Sequence, residues 1–159
     1  MKFSKYENKG TNEDVGLSGK VDYRLYDAMG DLKMERLNVG NTVVNTGKAE
    51  VALLIIGAGD AFTNIAIGTG STEAFAVGDT ELVTETSRDT ATTSSETTDV
   101  TGDTSQFVNT FAFTATGTIN ESAVLNADST GDMLCAQFIS DINVESGDSL
   151  EVTWKLDVD

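Results

Sequence analysis

The chain has 159 residues, the length of one domain, and its 39% apolar content is enough to bury a core and too high for a disordered chain. A formal net charge of −16 excludes nucleic acid and anionic membrane surfaces as partners, because affinity for phosphates rests on Lys and Arg. With no histidine and one cysteine, Cys135, the chain has no Ser-His-Asp triad, Cys-His pair, ordinary zinc site or intramolecular disulfide.

Residues 1–20 are polar and without periodicity, which predicts an N-terminal arm ahead of a single domain over residues 21–159. Val21, Tyr23 and Leu25 alternate on one face of a first strand. Asp27 to Asp31 supplies turn residues, and Leu32 to Leu37 returns as the second strand of a hairpin. Asn45 or Thr46 is a cap for a helix over Lys48 to Ile56, with Gly57 as its stop. Its adjacent apolar residues predict nearly complete burial, and Val51 to Ile56 also fits a core strand. Phe62 to Ile67 is a further strand leading into Gly68-Thr69-Gly70, a turn whose glycines permit positive φ.

The Thr- and Ser-rich stretch from 84 to 105 reads as a polar edge strand with a mobile turn, since threonine is β-branched and suits a solvated strand face. Phe107, Phe111 and Phe113 point to one side of the next strand. Leu150, Val152, Trp154, Leu156 and Val158 alternate with polar residues in a half-buried antiparallel strand, entered through a turn at Gly147-Asp148. The fold class is therefore all-β and mainly antiparallel, a β-sandwich or jelly-roll-like domain with one short helix. The longest apolar run, Val51 to Ile56, is far below the roughly 20 residues of a membrane helix, and no apolar segment follows Lys2 and Lys5 as in an export signal. Retention in the cytoplasm where it is made is expected, unless the product leaves as part of a particle.

No catalytic residues are expected. Glu81, Glu85 and Glu121 are the carboxylates available for glycoside hydrolysis, but with 26 acids in the chain they read as solvated strand and loop residues. Gly68-Thr69-Gly70 lacks the third glycine and the lysine of a nucleotide loop. No cofactor is expected. Calcium is the one ion the pattern allows, because Asp99 with Asp103, and Asp128 with Asp132, gather hard oxygen ligands around a glycine.

Several segments form a series in chain order: the Tyr26-Asp27 to Leu32 hairpin, Asn41 to Gly47, Ile65 to Gly70, and Leu82 to Glu85 with Arg88. Thr118 to Asn126, Gly131 to Leu134 and Gly147 to Trp154 complete it. Taken together, these segments resemble those of small structural proteins of tailed bacteriophages and tailed archaeal viruses, the tail-fibre, minor virion and decoration-like proteins. The group tends to have Glu-Ala-Gly-Leu-Phe where this chain has Glu121-Ser122-Ala123-Val124-Leu125. The resemblance implies a virion component without assigned reaction or cofactor: a capsid-surface decoration or turret protein or another minor subunit, with other virion proteins and copies of itself as partners. Lys2, Lys5, Tyr6 and Lys9 of the polar N-terminal arm are the expected partner-binding residues, set against an otherwise acidic body. The alternative is a tail-fibre, baseplate or host-adhesion module that binds surface glycans through exposed aromatics, with Tyr6, Tyr23 and Tyr26 better placed for exposure than Trp154, Phe111 or Phe113.

Overall fold

The structure, a computed structural model, describes residues 15–70 and 74–159. Ten strands and one helix follow one another among them: β1 (Leu17–Tyr26), β2 (Leu32–Gly40), β3 (Thr42–Val43), α1 (Asn45–Ile55), β4 (Asn64–Gly68), β5 (Glu85–Thr90), β6 (Thr92–Glu96), β7 (Thr104–Ala112), β8 (Gly117–Leu125), β9 (Met133–Val144) and β10 (Ser149–Val158). They form two five-stranded antiparallel sheets, ordered β2-β1-β10-β7-β6 and β3-β9-β8-β4-β5. The hairpins β1–β2, β4–β5, β6–β7 and β8–β9 stay within a sheet, whereas β2–β3, β5–β6, β7–β8 and β9–β10 cross from one sheet to the other.

The domain is an all-β sandwich, as the alternation in β1 and β10 predicts. These two strands pair in register from Leu17 opposite Val158 to Tyr26 opposite Ser149, so the first and last strands lie together inside one sheet. Their inward residues Val21, Tyr23, Leu25, Leu150, Val152, Trp154 and Leu156 meet Ile65, Ile67, Ile119, Val124 and Ile142 of the other sheet. The strand ladder begins at Leu17, earlier than Val21, because Leu17 to Lys20 still find partners on β10. Val158 is 49% exposed, since it sits past the end of this core. Phe107 and Phe111 are buried, while Phe113, beyond the end of β7, is only partly so.

The Thr/Ser-rich segment supplies two edge strands, one for each sheet. β5 closes the second sheet, buried Ala91 turns the chain, and β6 closes the first with every residue exposed. Its following turn is organised by Asp103, whose carboxylate accepts the backbone N–H groups of Thr98, Asp99 and Val100.

A second apolar layer covers the outer face of β4, β8 and β9. Phe75 and Leu82, from the segment between β4 and β5, bury there against Ala66, Ala123, Leu125, Met133 and Ala136. The Phe75 ring stacks on Phe138 with centroids 4.1 Å apart.

The helix forms where the sequence places it but differs in its ends and its burial. Val44, not Asn45 or Thr46, occupies the N-cap position and makes no side-chain cap; the Thr46 hydroxyl instead donates to Met133 O. The α1 backbone lies so close to β9 that a Cβ on Gly47 would stand 2.6 Å from Leu134 Cα. Nearly complete burial does not occur: Leu53, Ile55 and Ile56 are 42%, 80% and 74% exposed. One side of a helix covers a stripe, so consecutive apolar residues cannot all face the same sheet.

Candidate interaction surface

The C-terminal half of α1 borders one open end of the sandwich. Val51 and Leu54 face inward there and, with Leu17, Phe62, Leu134 and Val158, line a hollow of about 290 Å³. Every residue lining it is uncharged, and all but Ser105 are apolar. Outside it, Ile55 and Ile56 stand in solvent, as does Val15 at 79% exposure. From Val51 through Gly59 the chain carries no charge at all. The end of the helix is held by Glu50, buried at 6% exposure, which accepts the N–H of Asp60, and by Gly57 at φ +72°. The signal for this surface is present in the sequence, because six successive apolar residues on a helix packed from one side leave some in water.

At the opposite end of the sandwich, a cleft of about 320 Å³ has an apolar floor that includes Ile67, Phe111, Ile119 and Val144. Thr69, Thr86, Ser87, Thr114, Thr116 and Thr118 supply hydroxyls around it, and no charged residue lines it.

Glu81, Glu85 and Glu121 come to one region without forming a free carboxylate pair. Glu85 and Glu81 line a shared depression, but Glu85 is held by Arg88 through contacts of 2.9 and 2.6 Å. Glu121 is completely buried, and its two oxygens accept the N–H groups of Val83 (2.9 Å) and Thr84 (2.7 Å). Gly68 and Gly70 make room for this carboxylate, since a Cβ on Gly68 would lie 2.5 Å from Glu121 Oε1. Neither glycine has the positive φ expected from a turn; close approach requires them. Glu121 thus ties the segment before β5 onto the sheet.

The aspartates proposed for calcium serve their own loops. The carboxylate of Asp103 is held well below its ordinary pKa, first by the N–H of Thr98, then by that of Val100, with Asp99 N–H and the Thr104 hydroxyl adding to the effect. Asp99 contributes its N–H to this arrangement. In the second loop the Asp132 N–H donates to Asn126 Oδ1, and Asp128 accepts from the Ser129 hydroxyl at 3.3 Å. The carbonyls of Ala127 and Thr130 are occupied by the Arg88 guanidinium at 2.9 and 2.7 Å. Among the described residues, no three His, Cys, Asp or Glu side chains converge on a point where a metal ion would sit.

Of the tyrosines, Tyr23 is fully buried, contrary to its expected exposure. Its hydroxyl crosses between the sheets to Ser122 Oγ at 2.6 Å, and burial raises its pKa far above the usual phenol value. Tyr26 is half-buried. Trp154 is completely buried in the core. Lys2, Lys5, Tyr6 and Lys9 lie outside the described residues. Among the described residues, no helix is long and apolar enough to cross a membrane. No known protein family matches the chain, and neither the curated proteins nor the solved structures contain a match to it.

Proposed function

We propose that the chain is a non-enzymatic structural subunit of a tailed virus particle, a capsid-surface decoration or turret protein or another minor virion subunit, acting through protein–protein contacts. The observation that carries this reading is the uncharged apolar end of α1 with its adjoining hollow, on a body whose charge otherwise repels anionic macromolecules. The ordered resemblance to virion proteins supplies the setting. Electron imaging of purified particles labelled with an antibody against the chain tests it. Label over the head is the expected result, label confined to the tail moves the subunit there, and particles free of label overturn the reading.

A second reading, a tail-fibre or host-adhesion module binding surface glycans, is favoured by the threonine-rimmed cleft. Neutral sugars combine apolar C–H faces with hydroxyls, and an uncharged cleft with a Phe floor offers both kinds of contact. Tyr23 is not available to this role, because it lies in the core. Binding of the full chain to a glycan array, lost on Thr116→Val, supports adhesion; a blank array removes it.

A further inference from the structure

We infer that the hollow beside α1 is the docking site for the N-terminal segment, residues 1–9, of a second copy of this chain. The inference deepens the protein-contact reading above, and does not depend on the particle in which that contact is used.

Three observations select this occupant. The first is charge. Residues 1–9 contain Lys2, Lys5 and Lys9 against Glu7, a net of +2, whereas the remaining chain has 7 Lys and Arg (10 less 3) against 25 Asp and Glu (26 less 1), a net of −18. Two such bodies repel when brought face to face, while the segment is attracted to either of them. The second is chemistry. Phe3 and Tyr6 bring aromatic surface to a hollow lined almost entirely by aliphatic and phenyl groups, and Asp60, Asp157 and Asp159 adjoin its lining residues in sequence. Its volume, about 290 Å³, is at the lower edge of the range of small-ligand pockets, the scale of a few side chains.

The third is where the described chain begins. Gly16 is still paired with Asp159, its nitrogen 2.6 Å from the Asp159 carbonyl oxygen, so the first described residues lie beside the C-terminal end of β10. Leu17, the next residue, lines the hollow. The five residues between Lys9 and Val15 make six Cα-to-Cα steps, at most about 20 Å when extended, enough to cross to a neighbour meeting the same end of the sandwich. Each copy then offers one segment and one hollow, so the contact is either reciprocal in a two-fold dimer or propagated around a ring.

The sign of the salt effect separates this from a plain apolar contact between anionic bodies. Sedimentation velocity of the purified full chain, from micromolar to near-millimolar concentration, should show self-association that weakens by about tenfold or more as salt rises to about 1 M, where the Debye length falls to about 3 Å. Phe3→Ser with Tyr6→Ser should abolish association and leave thermal unfolding unchanged, as should Val158→Ser at the rim of the hollow. A synthetic peptide of residues 1–9 should dissociate the wild-type assemblies and perturb the amide resonances of Leu17, Val51 and Leu54. A wild-type chain that stays monomeric throughout overturns the inference, and so does association that tightens with salt or survives loss of Phe3 and Tyr6. The particle reading is judged separately by the labelled images.

Discussion

Tyr23 and Cys135 show how single polar groups are accommodated in an apolar core. Tyr23 spans the two sheets, and its one visible partner is Ser122. Tyr23→Phe leaves the Ser122 hydroxyl buried without that partner, and should cost about 1–2 kcal/mol in chemical denaturation, with the double change Tyr23→Phe, Ser122→Ala costing less than the two single losses summed. Burial pushes the Cys135 thiol up to about 12, and raises the Tyr23 phenol as well. Both groups are held neutral in the fold, so their contribution is fully present below their ordinary values near 9.0 and 10.0 and is lost as pH rises toward the folded values. Stability should therefore decline from about pH 9 upward, and a flat denaturation midpoint between about pH 8 and 11 contradicts the assignment. In the other direction, Asp103 and Asp148 are held low, Asp103 by backbone N–H groups and Asp148 first by Lys33 at 2.8 Å. Their contribution is present above pH 3.8 and is lost as pH falls below it.

At the level of elements, side chains and glycines decide how the peripheral pieces join the sandwich. Glu121 receives the segment before β5 through two backbone N–H groups. Glu121→Ala strips both acceptors and should cost about 2–4 kcal/mol, with hydrogen exchange accelerated first at Val83 and Thr84. Unchanged protection at those amides contradicts the tether. Gly47 sets how closely α1 approaches β9. Replacing it by Ala improves helix propensity by up to about 1 kcal/mol. The added Cβ, however, would fall 2.6 Å from Leu134 Cα, and overpacking of that kind costs about 1–3 kcal/mol. The steric effect wins, so Gly47→Ala should lower the melting temperature; a rise contradicts the close packing. The edges follow a different logic. β5 and β6 end the two sheets with polar residues, and the all-exposed Thr92 to Glu96 places no apolar side chain where another sheet would pair.

For the whole molecule, the pairing of β1 with β10 makes folding depend on the most distant parts of the chain. Each of those strands lies between two others, so the first sheet is incomplete until Ser149–Val158 is in place. Contacts of such separation slow folding into the millisecond-to-second range. The chain contains no proline, so no X-Pro isomerisation can add a slower step. Refolding from denaturant should thus lack a phase of tens of seconds, and a prolyl isomerase should leave its kinetics unchanged; a slow phase accelerated by the isomerase contradicts this.

Much of this architecture is legible in the residues alone. Period-two alternation in Val21 to Leu25 and Leu150 to Leu156, with Gly-Asp turns between strands, is a local consequence of strand geometry and defines a half-buried antiparallel sheet. The charge, the absent histidine and the helix with its Gly57 stop are equally local. What only the tertiary structure decided is which surface each residue meets. The same threonine pattern became edges of two different sheets, Glu121 became a buried tether while Glu85 bonded to Arg88, and half of an apolar helix was left in solvent. Strand order joins residues as distant as Leu17 and Val158, 141 positions apart, and no short-range periodicity carries that information.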